Sequence, residues 1–183
     1  MEENKSLLMR SAMYYGLLLG IFWVIKYIFF IWGSSSPLMG AVYWVLTPFT
    51  IVIAYAFTRM YKIQIGGKIG FFHAWQFGIL LYFFAALIVS LAHYVFYQYI
   101  APPDFIATSM DQVIHMMKEM DLNSPMKDAI DQLSTPTPIQ MAIQGIFNNV
   151  FYGVVFSIPI AALLCRNNET GFINHTNEEE DNL

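Results

Sequence analysis

The hydrophobic positions of this chain run on rather than alternate. Lys26 is the only Lys, Arg, Asp or Glu between Ser11 and Phe57; none occurs between Phe71 and Pro103, and none between Gln132 and Cys165. About 20 apolar residues in a helix cross a hydrocarbon layer of about 30 Å. Stretches of that length predict four spans: Ala12–Trp32, Leu38–Thr58, Ala74–Ile100 and Pro138–Leu164. The run Gly33-Ser34-Ser35-Ser36-Pro37 is too short to do more than reverse direction between the first two. The expected fold is therefore an all-α membrane protein, a four-transmembrane-helix bundle occupying residues 1–166. Residues 167–183, which end in Glu178-Glu179-Glu180-Asp181, read as a disordered acidic tail.

Between spans three and four the rhythm changes. Ile106, Met110, Val113, Met117 and Met120 recur at steps of four, three, four and three, and Pro103 suits a first helical position. Ser124-Pro125 reads as a second cap and start, with Met126, Ile130 and Leu133 on one face. A helical hairpin over residues 103–134 follows, and its Met-rich stripe is a candidate partner surface.

Charge sets the orientation. Lys5, Arg10, Arg59, Lys62, Lys68 and Arg166 flank one side of the spans, while the 101–137 segment carries Lys118 and Lys127 against six acidic residues. The rule that basic residues stay inside places both termini in the cytoplasm and the hairpin on the opposite side. The first apolar run exceeds the 7–15 residues of a signal h-region, and no A-x-A site follows it. The sequons at Asn168 and Asn174 are cytoplasmic on this topology and carry no meaning.

Composition narrows the function classes. Only 12 % of residues are charged and 57 % are hydrophobic, where soluble domains carry about 25 % charge. The net charge of −4, with no basic block, excludes nucleic acid as a partner. The lone Cys165 cannot form an internal disulfide or a cysteine-built metal site. No H-E-x-x-H, G-x-S-x-G or Walker loop occurs, and His73, His93, His115 and His175 lack ligand spacing. Neither an enzyme nor a bound metal or cofactor is expected.

Lys26 is the single charge inside a span. Such a residue is a functional candidate because burying charge is costly. It also lies only about 9 Å of helix rise from Trp32, so snorkelling toward the interface is the plainer account. Span four carries two adjacent stripes: Gln140, Gln144, Asn148 and Tyr152, and beside them Gly145, Asn149, Gly153, Ser157 and Ala161. Both are expected to turn inward, since small residues let backbones approach and amides bond across helices. Gly16 and Gly20 in span one make the same small-residue pattern. Gly16, Gly20, Gly145, Gly153 and Ser157 are thus candidate helix-packing residues. On the inferred topology Lys26, His93, Asn148 and Asn149 all fall about 6–9 Å beyond the midplane, on the non-cytoplasmic side. With Gln144 they form a candidate polar pocket, whose plain alternative is ordinary interhelical hydrogen bonding.

One resemblance adds to this. The run Gly66-Gly67-Lys68-Ile69-Gly70-Phe71-Phe72-His73-Ala74-Trp75-Gln76-Phe77-Gly78 opens span three, and Tyr97-Gln98-Tyr99-Ile100-Ala101-Pro102-Pro103-Asp104-Phe105 closes it. With a Gly-containing last span ending at a basic residue, the chain resembles the DUF4199 family of bacterial four-span membrane proteins over most of its length. It departs in having Gly70-Phe71 where that pattern has Ser-Phe, so the usual Ser cap is missing. The resemblance implies a bacterial inner-membrane location and carries over no functional residues. The expected role is a non-enzymatic accessory or structural component. Its expected partners are the lipid bilayer and another membrane protein or itself. Small-solute binding or transport through the polar pocket is the alternative.

Overall fold

The computed structural model describes residues 2–33, 36–119 and 135–166. Every regular element among them is helical: α1 (Glu2–Gly33), α2 (Pro37–Gln64), α3 (Phe71–Val95, continued by a π turn over Phe96–Ile100), α4 (Phe105–Glu119) and α5 (Pro138–Arg166). Four helices are long and apolar enough to cross a membrane, over Ser6–Gly33, Leu38–Gln64, Phe71–Ile100 and Pro138–Arg166. The chain is a multi-pass membrane protein built as a helix bundle. The second helix of the expected hairpin, with Met120, and the acidic tail lie outside the described residues.

Local chemistry explains where the helices begin and end. Pro37 starts α2 at a position whose N–H needs no partner. Gly66 and Gly67 stop it, with φ of 95° and 81°, a region that disfavours any Cβ. Gly67 N–H reaches the Lys62 carbonyl at 2.9 Å and Gly66 N–H the Ile63 carbonyl at 3.1 Å, the paired closure of a Schellman end. α2 thus runs nearly two turns beyond the expected end at Thr58. The physical reason is burial. Ala54, Thr58, Tyr61 and Lys62 follow helical spacing onto the inner face, and all four are buried. At the start of α5, Thr137 and Gln140 cap each other. The Thr137 N–H donates to Gln140 Oε1 at 2.8 Å and the Gln140 N–H to Thr137 Oγ1 at 3.4 Å.

Two compact units divide the chain, Met1–Val89 with Ile146–Leu183 and Ser90–Gly145. In the first, α3 contributes more of the core than any other helix, through Ala74, Phe77, Leu81, Tyr82, Ala85, Ala86 and Val89. α1 packs on it through Gly16 and Gly20; a Cβ on Gly20 would come within 2.7 Å of Ile88 Cβ and 3.1 Å of the Ala85 carbonyl. α5 packs on it through Gly153, where a Cβ would overlap Tyr82, and through Ser157, which fills the space Gly78 leaves. α2 lies along α1, with Tyr15 stacked on Phe57 at 5.0 Å and Phe30 against Tyr43 at 5.3 Å. In the second unit, Phe105 at the head of α4 meets Phe96 edge-on at 5.5 Å. Ile106, Met110 and Met117 share the half-buried side of α4, while Asp111, Gln112 and His115 are exposed.

Candidate functional site

Polar groups in a bundle of this kind fall into three settings, and each implies a different job. The first is a partly buried clasp where α1 begins, α2 ends and α5 ends. Gln64 Nε2 donates to the Tyr15 hydroxyl at 2.7 Å, and the Ser11 hydroxyl donates to Gln64 Oε1 at 3.2 Å. Tyr61 and His73 share a 2.6 Å hydrogen bond between hydroxyl and Nε2, with the Tyr61 ring stacked on Phe77 at 4.2 Å. Lys62 Nζ donates to the Leu164 carbonyl at 2.9 Å. That carbonyl belongs to the last turn of α5, where no helical N–H remains for it and where the helix dipole favours a cation. Cys165 Sγ donates to the Ile69 carbonyl at 3.3 Å. The expected end of span two at Thr58 leaves Tyr61, Lys62 and Gln64 outside it, so the clasp does not show in the sequence. A hint of it is the helical spacing of Ala54, Thr58 and Tyr61 across that boundary.

The second setting is the interior. Trp23 Nε1, Thr50 Oγ1 and Tyr82 Oη are buried with no hydrogen-bond partner among the described residues. Trp23 meets Tyr82 edge-on at 5.6 Å. Thr50 lies seven residues from both Tyr43 and Phe57, the two α2 rings that touch α1, and so shares their face and sits near the level of Trp23. Lys26, half-buried, holds its ammonium 5.0 Å from the Tyr43 ring centroid, a cation–π contact that offsets part of its desolvation.

The third setting is the outside of α5. The small stripe of that helix turns inward, as Gly153, Ser157 and Ala161 show. The amide stripe does not follow it. Gln144, Asn148 and Tyr152 are exposed, and neither Gln144 nor Asn148 makes a side-chain hydrogen bond among the described residues. Gln140 is spent in the cap of α5. Asn149 is half-buried. In the second unit, His93 is half-buried and Gly145 faces Ser90 and His93 closely enough that a Cβ there would lie 3.5 Å from Ser90 Oγ and 3.6 Å from His93 Nδ1.

The depth of Asn148 makes its exposure costly. It stands four residues from Tyr152, the midpoint of α5, which in a helix centred across a layer of about 30 Å is about 6 Å from the centre. Its short side chain cannot reach the headgroups. An amide left without partners in hydrocarbon costs on the order of 4–8 kcal/mol relative to water.

A family model described as a protein of unknown function (DUF4199) matches residues 14–166. No curated protein and no solved structure matches the chain.

Proposed function

The chain belongs to the DUF4199 family, a description that assigns no activity, and we propose that it is a non-enzymatic component of a membrane assembly that docks another transmembrane helix on the outer face of α5. The single observation behind this reading is Asn148, exposed and unpaired among the described residues four residues from the middle of a helix long and apolar enough to cross a membrane. A neighbouring helix removes its penalty without pulling α5 out of the bundle. The basic residues support both termini in the cytoplasm, and the family resemblance supports a bacterial inner-membrane location. On that topology α4 lies outside the cytoplasm, and its Ile106, Met110 and Met117 side offers a second contact surface.

The pocket alternative needs Gln144 and Asn148 inside the bundle, and both are exposed. A narrower version has its own support in Trp23, Thr50 and Tyr82, whose unpaired tips suit a small polar guest such as water or an alcohol.

The docking reading is tested at native expression level. Membranes solubilised in a mild detergent are run on a native gel. The chain is expected in a complex larger than one copy, and Asn148→Leu is expected to shrink that complex. A wild-type chain that migrates as a single copy sinks the reading.

A further inference from the structure

We infer that the helix docked on α5 is the α5 of a second copy of this chain, packed in parallel about a two-fold axis along the membrane normal with Asn148 paired to Asn148. The inference rests on the reading of that face as a docking surface. Asn148, Phe151, Val155, Ile158 and Ala162 are all exposed and follow one another at steps of three, four, three and four. That is the 3.5-residue period of a left-handed coiled-coil seam, with Asn148, Val155 and Ala162 at one heptad position and Phe151 and Ile158 at the other. Phe147 and Tyr152, also exposed, flank the seam on either side and are placed to cover it.

The bilayer then selects the partner's geometry. Two copies inserted with the same topology are related by a two-fold axis only if it runs along the normal, so their α5 helices are parallel and equal depths meet. At such an axis each residue faces its own copy. Only a group that both donates and accepts can satisfy itself there, and the Asn amide carries one carbonyl and one NH2. A charged residue in that place would repel its twin. A single Asn at this heptad position fixes the register of a parallel pair. The small Ala162 lets the backbones close in at the following heptad. The outer face of α2 offers nothing comparable: Val45, Phe49 and Val52 are wholly apolar, and Trp44 carries an indole N–H that donates but cannot accept, so it cannot pair with its own copy.

Cross-linking in vesicles tests this directly. In a Cys165→Ser background, Val155→Cys places a thiol on the axis, and Trp44→Cys places one on the outer face of α2. Each protein is reconstituted in phosphatidylcholine vesicles at falling protein-to-lipid ratio and oxidised with copper phenanthroline. Val155→Cys is expected to give a covalent dimer that Trp44→Cys does not. Adding Asn148→Leu should weaken dimerisation about threefold to thirtyfold, the equivalent of about 0.6–2 kcal/mol for interhelical hydrogen bonding in lipid. Asn148→Gln, which keeps the amide, should restore much of it. Equal cross-linking at both thiols, or no response to Asn148→Leu, overturns the dimer. If the purified chain is monomeric in vesicles while its native complex still shrinks on Asn148→Leu, the seam holds a different protein. Self-association then falls and the docking reading stands. If the native complex is unchanged as well, both fall.

Discussion

The inner and outer faces of α5 are cut from neighbouring stripes of one helix, one residue apart in sequence, and they meet opposite demands. Inward, Gly153 and Ser157 bring the backbone against Tyr82 and Gly78 of α3, and close packing is the whole contribution. Outward, Asn148 and Tyr152 present hydrogen-bonding groups to the place where lipid would be. The outer face of α2 is equally exposed, yet Val45, Phe49 and Val52 ask nothing of their surroundings and Trp44 presents no more than one indole N–H. In a bilayer, exposure of apolar residues is therefore uninformative. The informative feature is an exposed amide, because lipid cannot pay its desolvation.

The sharpest way to break the contrast is to enlarge the inner stripe. Gly153→Leu drives a side chain into Tyr82 and should destabilise the bundle by about 3 kcal/mol or more, at or beyond the upper end of overpacking costs. Unfolding by SDS in bicelles measures it. A variant as stable as wild type would mean that α5 does not pack on α3 through this stripe.

Next in size is the clasp. Lys62→Met keeps the length and apolar stem of the side chain but leaves the Leu164 carbonyl without its cation. A loss of about 1–2 kcal/mol is expected in the same assay, since hydrogen bonds to charged groups are the stronger ones and the dipole adds to them. Lys62→Arg should recover part of it. An unchanged Lys62→Met protein would show that the α5 end is satisfied by other means.

Much of this architecture was legible before any coordinates. The charge-free runs locate all four membrane-crossing helices, although α1 begins nearly three turns before the expected Ala12 and α2 ends nearly two turns beyond the expected Thr58. Gly16 and Gly20 stood out as small residues at helical spacing, and the structure places both against α3. The division of α5 into an inner and an outer stripe was not legible. Successive residues stand about 100° apart on a helix, so both stripes fit one broad face. Only the position of α3 decides which is covered. The clasp was hidden for another reason. Charge usually marks the end of a span, so Arg59, Lys62 and Lys68 point to a connection between spans two and three. The carbonyl that accepts from Lys62 is 102 residues away, and no local pattern announces it.

A smaller effect, with its sign as the readout, tests the interior. Tyr82→Phe removes a buried hydroxyl that has no partner among the described residues. Without a guest, the change relieves an unsatisfied group and should stabilise the bundle by about 1 kcal/mol. With a polar guest bonded to that hydroxyl, the same change should destabilise by a similar amount. Trp23→Phe should move in the same direction if the two tips share the guest, and opposite signs would show that they do not.

The smallest expected effect completes the comparison of faces. Asn148→Leu and Trp44→Leu both replace residues exposed outside the bundle, so neither should shift the stability of the single chain by more than about 0.5 kcal/mol. Measured at high dilution in detergent micelles, where copies are apart, the two unfolding curves should nearly coincide with wild type. The difference between the faces should then emerge only in lipid. There Asn148 is either paired or stranded, whereas Trp44 is content in both settings. A variant at Asn148 that already loses 2 kcal/mol or more in the dilute micelle would place its amide inside the single-chain fold. It would then be an internal hydrogen-bonding residue, and α5 would have no polar outer face to explain.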